Sequence, residues 1–160
     1  WFGLGILSLD AGNTDDSLIF LRKAIRLDDE NPEIWYVLGK AHYANGEKKA
    51  ALRCVREALK IDVYYNEVWS DLGKIILKEG YTNKALPYLE KAYKIIGDIP
   101  GINFLLGAFF YHQGNIEKAC KHIYLALSAE KEIFYEFRDI YPLNIHNKKI
   151  RRLLEDFNIV

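Results

Sequence analysis

The chain has 160 residues, half of them hydrophobic and 28% charged, which is the composition of a folded globular protein. Lysine and arginine together number 22, as do aspartate and glutamate, so the formal net charge is zero. Proteins that bind nucleic-acid backbones usually carry a basic excess, so we expect no nucleic-acid partner. No run of eighteen apolar residues occurs, so we expect no membrane-spanning segment in this sequence.

The two cysteines, Cys54 and Cys120, are too few for a disulfide framework and do not form a Cys-x-x-Cys motif for zinc or redox chemistry. Free cysteines favour a reducing compartment such as the cytoplasm, but two cysteines are too few to decide the localisation. The sequence contains no methionine and begins at Trp1, so we expect it to be part of a longer protein with further repeats upstream.

Several residue types recur along the chain with a period of 34 residues. The columns are Trp1, Trp35 and Trp69; Leu4, Leu38, Leu72 and Leu106; Gly5, Gly39, Gly73 and Gly107; Gly12, Gly46, Gly80 and Gly114; and Ala24, Ala58, Ala92 and Ala126. Independent columns in one register indicate internal repeats, and within each repeat the apolar spacing predicts two antiparallel helices, A and B.

The boundaries of helix A carry local signals. Asn31-Pro32 predicts an N-cap followed by proline at the first helical position, and Gly46 predicts the turn that ends the helix, at positive φ. Gly39 lies inside helix A, where glycine costs about 1 kcal/mol relative to alanine. We expect compensation from the close approach of helix B, through the small residues Ala51 and Ala58.

The remaining helical signals lie in the second half of the chain. Pro87 falls in the second turn of the third helix B and predicts a bend there. After residue 133 the period fades: residues 131–141 predict one helix, and residues 147–160 predict an amphipathic helix. Its apolar face would comprise Ile150, Leu153, Leu154 and Phe157. Together the two helices would cap the end of the array.

The pattern Trp-x-x-Leu-Gly, then a second glycine and small residues at a 34-residue period, resembles the tetratricopeptide repeat. The resemblance implies an all-α, right-handed superhelical α-solenoid of antiparallel helix pairs. Its repeats would span 1-31, 32-65, 66-99 and 100-133, the first one truncated, with a degenerate fifth helix pair as a C-terminal cap at 134-160. The sequence departs from the family pattern at Asn103, where the fourth repeat lacks the aromatic residue.

No motif indicates catalysis, a metal or a cofactor. Gly39-Lys40 lies within a predicted helix and lacks the strand–loop–helix context of a phosphate-binding loop. The four histidines are scattered without ligand spacing, so we interpret them as structural or solvated: His42, His112, His122 and His146. We therefore expect no catalytic residues, no cofactor and no metal, and we do not expect an enzyme.

The resemblance implies a concave groove lined by the A helices, and this groove is the candidate for partner binding. The candidate contacts are Tyr36, Lys40, Tyr43, Lys74, Lys78, Phe104 and Tyr111. Aromatic residues with a polar tip are favoured at recognition surfaces, although packing of these rings between adjacent A helices is the alternative. The clamp with which some family members hold a peptide carboxylate is not expected, because this groove contains no asparagine at the required position.

These observations predict a non-catalytic protein–protein interaction scaffold that binds a peptide or partner segment in the groove. Two alternatives stay open. The chain could be a self-association module that forms a homo-oligomer, or the repeat region of a larger protein whose catalytic or membrane module lies outside this sequence. RNA binding, as in related helical repeats, is disfavoured by the zero net charge.

Overall fold

The computed structural model describes residues 1–78, 82–138 and 146–160; side chains at 74, 77, 78, 82–84, 88, 136 and 137 lie outside the description. The described residues form ten helices and no strand. The helices are α1 (Phe2–Asp10), α2 (Thr14–Leu27), α3 (Pro32–Ala44), α4 (Lys48–Ile61), α5 (Asn66–Lys78), α6 (Thr82–Ile96), α7 (Pro100–His112), α8 (Ile116–Ala129), α9 (Ile133–Phe137) and α10 (Lys148–Asp156). The predicted all-α class, with helix pairs as in α-solenoids, is confirmed.

The first compact unit, residues 1–68, contains two packed helix pairs. Helix α1 packs on α2 and α3 packs on α4, while α2 also contacts α3 and so joins the two pairs. Its core is a cluster contributed by the second, third and fourth helices: Leu18, Leu21, Leu38, Ala41 and Cys54. Helix α5 begins at Asn66 and therefore crosses the boundary of the unit.

The second unit, residues 69–160, is organised around α7. This helix packs on α8 and is also contacted by α6 and α9, so every residue from Pro100 to Phe110 is buried. Helix α10 covers α8 with Ile150, Leu153 and Leu154, which are all buried. Helices α9 and α10 lie within the predicted cap at 134–160 or next to its start, and the cap itself stays a prediction. The numbered repeat boundaries stay a prediction.

Two of the repeated glycines allow the A and B helices to approach closely. A Cβ atom at Gly39 would lie 3.3 Å from Cys54 Cβ and 3.4 Å from the Ala51 carbonyl oxygen. At Gly107 the space is tighter, since a Cβ atom would lie 2.6 Å from Ile123 Cγ1. The predicted close approach is confirmed, with Ala51 but not Ala58 among the nearest neighbours of Gly39.

The predicted boundaries of helix A are also confirmed. The Asn31 side-chain oxygen accepts a hydrogen bond from the Glu33 backbone N–H at 3.0 Å, and Pro32 is the first helical residue. This cap satisfies one of the N–H groups that a helix start leaves unpaired. Gly46 has φ +77°, a conformation that costs glycine little, and it ends the turn after α3.

Three other features refine the predictions. Helix α6 continues through Pro87, which lies in its second turn as predicted. Helix α9 begins at Ile133, two residues after the start of the predicted helix at 131–141, and ends at Phe137. Residues 139–141 of that prediction lie outside the described residues, and so does Gly80, the predicted helix end in the third repeat. Helix α10 ends at Asp156, before the predicted 160, because the chain turns at Asn158, whose φ is +53°.

Candidate partner-binding face

Helix α3 turns one side toward its neighbours and the other toward solvent. Its buried side includes Leu38 and Ala41, which join the core between α2 and α4. On another side, Tyr36 and Tyr43 are half-buried and Lys40 is exposed. These three residues are spaced four and three apart, which places them on one helical face.

An aromatic pair with a neighbouring ammonium group lies at the start of this face. The rings of Tyr36 and Tyr65 have centroids 5.4 Å apart at an interplanar angle of 59°. Lys40 Nζ lies 5.4 Å from the centroid of the Tyr36 ring, within the range of a cation–π interaction. We name Tyr36, Lys40, Tyr43 and Tyr65 the α3 face.

Tyr65 is the member of the α3 face that the sequence did not predict. Its repeat column contains Asn31, Ile99 and Ile133, and both isoleucines are buried, so the column does not indicate a surface position. Burial raises the pKa of the Tyr65 phenol, and nearby carboxylates, Glu33 first among them, raise it further. The phenol is therefore neutral near pH 7 and can both donate and accept a hydrogen bond.

Phe104, the residue of the fourth repeat that corresponds to Tyr36, differs from the prediction. Its side chain is fully buried, and its ring meets that of Phe134 edge-on, with centroids 6.4 Å apart. Phe134 belongs to α9, where the 34-residue period has ended, so the repeat pattern did not reveal this cover. Phe104 is a core residue here and cannot contact a partner, which corrects its place among the candidate contacts.

The other predicted contacts stand as follows. Tyr111 is half-buried near the end of α7. Lys74 and Lys78 belong to α5, but their side chains lie outside the described part of the structure. The predicted contacts at Lys74, Lys78 and Tyr111 stay predictions.

His42, at the end of α3, has a structural partner. Its Nδ1 lies 2.6 Å from Glu47 Oε2, and Asn45 Nδ2 donates to Glu47 Oε1 at 3.0 Å. The hydrogen bond from His42, and next that from Asn45, lower the pKa of the Glu47 carboxyl group. His42 is buried, and the contact ties the end of α3 to the start of α4. The structural interpretation of His42 agrees with this geometry.

His122 and Asn103 form the buried end of a polar chain that joins three helices of the second unit and reaches the exposed Asp98. His122 Nδ1 lies 2.8 Å from Asn103 Oδ1, and Asn103 Nδ2 donates to Asp98 Oδ1 at 3.3 Å. Tyr93 Oη donates to the same Asp98 oxygen at 2.8 Å. With neutral imidazole, His122 Nδ1–H donates to the amide oxygen, and each link then runs from donor to acceptor.

The aromatic surroundings of His122 also affect its pKa. The His122 ring is stacked on the Phe110 ring, with centroids 5.6 Å apart, and meets the Tyr93 ring edge-on, with centroids 5.1 Å apart. Burial lowers the pKa of His122, and the charge of Lys121 lowers it further. Asn103 occupies the column in which Trp69 stands one repeat earlier, so the departure from the family pattern is a hydrogen-bonded substitute for an aromatic residue.

Among residues 1–78, 82–138 and 146–160, no three His, Cys, Asp or Glu side chains are grouped so that they could hold a metal ion. Burial raises the pKa of the Cys54 thiol to about 11, and burial also raises that of Cys120. None of the helices in the described ranges has the length and hydrophobicity needed to cross a membrane.

Family models match most of the first two thirds of the chain. One described as a TPR repeat matches residues 9–46, and two described as tetratricopeptide repeats match residues 32–62 and 67–98. These matches cover the Trp-x-x-Leu-Gly segments at Trp35 and Trp69. No curated protein gives a significant sequence match.

Solved structures of similar fold include MamA, which is 27% identical with a TM-score of 0.57 over 82% of this chain and 77% of MamA. PilF of Pseudomonas aeruginosa is 20% identical with a TM-score of 0.59 over 98% of this chain and 73% of PilF. YrrB, described as a TPR protein with an unusual peptide-binding site, is 19% identical with a TM-score of 0.55 over 98% of this chain and 82% of YrrB.

The fold and these neighbours support a protein–protein interaction scaffold with protein or peptide partners, and repeats of this kind are generally non-catalytic. The repeat columns, the packed helix pairs and the three family models agree. The chain belongs to the tetratricopeptide repeat family.

Proposed function

We propose that the chain binds a peptide or partner segment along the exposed sides of its A helices, and that the α3 face is the centre of this surface. The observation that carries the proposal is the cluster of Tyr36, Tyr65 and Lys40, in which two rings and an ammonium group remain accessible beside one another. A tyrosine presents a large apolar area and a hydroxyl group at low entropic cost, which suits recognition.

The chemistry of the α3 face defines the kind of segment that fits it. The Tyr36 and Tyr65 rings, which contact each other, would take an apolar side chain against their exposed surface. Lys40, 5.4 Å from the Tyr36 centroid, would pair with a carboxylate next to that apolar side chain. The partner segment would therefore carry an apolar anchor followed closely by an acidic residue, in an extended or helical conformation.

The other predicted contacts complete the proposal. Lys74 and Lys78 of α5 and Tyr111 of α7 stay proposed contacts in the second unit, whereas Phe104 is excluded by its burial. The shared fold with YrrB, itself described as having an unusual peptide-binding site, is a reason to look for a peptide site on this scaffold. Self-association, and a role as the repeat region of a larger enzyme or membrane protein, remain the alternatives.

The test is selection of binding peptides from a random displayed library on the intact chain, followed by affinity measurements on single variants. We expect Tyr36→Ala to weaken the selected peptides at least tenfold and Lys40→Ala to weaken those with an acidic residue. Tyr124→Ala and Lys60→Ala are matched controls, since Tyr124 is 54% exposed on α8 and Lys60 is exposed on α4 beside Glu57. Equal affinities for all four variants, with helicity retained, would rule out the α3 face.

A further inference from the structure

Three carboxylates lie around Tyr65, at one end of the α3 face. Glu33 belongs to the first turn of α3, Asp62 directly follows α4, and Glu67 belongs to the first turn of α5. All three residues are exposed. Burial, and next the charges of these three carboxylates, raise the pKa of the Tyr65 phenol, so the carboxylates act together on one hydroxyl group. We name Glu33, Asp62 and Glu67 the acidic end.

The turn between α4 and α5 positions two of these residues. The Tyr64 backbone N–H donates to Asp62 Oδ1 at 2.9 Å, and the Tyr65 backbone N–H donates to the Asp62 carbonyl oxygen at 3.4 Å. The Val68 backbone N–H donates to the Tyr65 carbonyl oxygen at 3.1 Å, which ties Tyr65 to the first turn of α5. The backbone therefore fixes where Asp62 and Glu67 stand relative to Tyr65.

Lys40 carries the opposite charge farther along the same side of α3. It lies at i+7 from Glu33, and Tyr36 lies between them at i+3, so the three share one helical face. At a rise of 1.5 Å per residue, the backbone positions of Glu33 and Lys40 are about 10 Å apart along the helix. This exceeds the i+3 and i+4 spacings at which charges on one helix pair. The α3 face thus has a negative end and a positive end, with the Tyr36 ring between them.

Helix stability explains only part of this charge pattern. The helix dipole favours an acidic residue in the first turn, but its effect falls off within one turn, and Lys40 lies before the last turn of α3. The same pair recurs one repeat later in the sequence as Glu67 and Lys74. In α7, which is buried from its first residue, the two positions are Gly101 and Ala108. The charge pair is therefore absent where the A helix is part of the core.

On the basis of the proposed function, in which an apolar side chain covers the rings and a carboxylate pairs with Lys40, we propose that the acidic end recognises a basic residue of the same segment. The partner is thus a bipolar segment, with a lysine or arginine on one side of its apolar anchor and an acidic residue on the other. An extended chain rises about 3.3 Å per residue, so its two charges would be about three residues apart. In a partner helix they would be about seven residues apart.

The acidic end also discriminates against other segments. A segment that is acidic on both sides of its apolar anchor would place like charges next to Glu33, Asp62 and Glu67, which costs affinity. A segment that is basic on both sides would place a cation next to Lys40. The α3 face therefore selects for the order of charges as well as for the apolar anchor.

The test uses peptides selected on the intact chain from the displayed library, restricted to those that Tyr36→Ala weakens. We expect them to carry a lysine or arginine at a constant spacing from the acidic residue. Glu33→Gln should weaken them about twofold to fivefold, and its combination with Asp62→Asn and Glu67→Gln about tenfold. Replacing the basic residue of the peptide with alanine should abolish these differences. Glu117→Gln is the matched control and should leave affinity unchanged, because it alters an exposed first-turn glutamate of α8.

The outcomes separate this inference from the proposed function. Peptides that depend on Tyr36 but lack a basic residue at a constant spacing would overturn the role of the acidic end and leave the proposed function standing. The same holds if Glu33→Gln weakens a peptide equally with and without its basic residue. Peptides that bind Tyr36→Ala as tightly as the wild type would refute the proposed function, and the bipolar partner with it.

Discussion

Helices α3 and α7 are first helices of their repeats and both begin with proline, yet they have different environments. Helix α3 keeps Tyr36, Lys40 and Tyr43 on a side that is exposed or half-buried. Helix α7 is buried from Pro100 to Phe110, because α6, α8 and α9 all contact it. A repeat position therefore defines which way a side chain points, whereas the neighbouring helices define whether it reaches solvent.

The residue types agree with this difference. Lys40 in α3 corresponds to Ala108 in α7, which is 1% exposed, and a lysine there would bring a charge into the core. Tyr36 corresponds to Phe104, which lacks the hydroxyl group that would need a partner when buried. The exchange of polar-tipped residues for apolar ones is thus a sequence signal that a repeat position has become part of the core.

The largest expected effect is on stability when the two corresponding rings are truncated. Phe104→Ala should lower the free energy of unfolding by about 3–5 kcal/mol, because it removes a fully buried ring and leaves a cavity. Tyr36→Ala should cost about 1 kcal/mol, since its ring is only half-buried and its contacts include the partly exposed pairing with Tyr65. Chemical denaturation of both variants measures the difference. Equal losses would contradict the contrast between α3 and α7.

A smaller effect is expected when each helix receives one additional methyl group. Gly107→Ala should destabilise the protein by about 1–3 kcal/mol, because its Cβ would lie 2.6 Å from Ile123 Cγ1 and 3.2 Å from the Ala119 carbonyl oxygen. Gly39→Ala should change stability by less than about 1 kcal/mol, because contact with Cys54 Cβ at 3.3 Å is offset by better helix propensity. Thermal unfolding compares the two, and a greater loss for Gly39→Ala would reverse the predicted order.

The smallest expected effect concerns pH and the polar chain around His122. Because burial lowers the pKa of His122, the unfolded chain binds a proton first as the pH falls below about 6.5. The contribution of His122 to the free energy of unfolding is therefore fully present above that pH. It declines as the pH falls toward the pKa of His122 in the folded protein, by at most about 1.4 kcal/mol per pH unit for one proton. The measurement is the free energy of unfolding between pH 7.5 and 5.

The control for this prediction uses two glutamine variants. His122→Gln should lose less stability than the wild type over the acid range, because glutamine does not titrate. His112→Gln, at an exposed residue of α7, should keep the wild-type pH dependence. Identical curves for the wild type and His122→Gln would show that this imidazole is not the group responsible.

Much of the fold could be predicted because the repeat imposes the same local rules several times. The Asn31-Pro32 cap, the turn at Gly46 and the close approach at Gly39 are each determined by backbone geometry within one helix pair. The binding surface was less predictable, because exposure depends on segments outside the repeat. Phe134 buries Phe104 from a part of the chain without a period, and Tyr65 reaches Tyr36 from a column that buries isoleucine in two other repeats.

Asn103 limits how freely the repeats could be exchanged. A tryptophan at this position would restore the family pattern but would leave Asp98 and His122 without the amide that links them. Conversely, an asparagine at the corresponding position of another repeat would have no histidine to bond with. In the preceding repeat this position is Trp69, which is buried, so the asparagine would be buried there without that partner. The fourth repeat is therefore not a modular unit in the way its period suggests, and a chimera or circularly permuted array would have to transfer Asp98, Asn103 and His122 together.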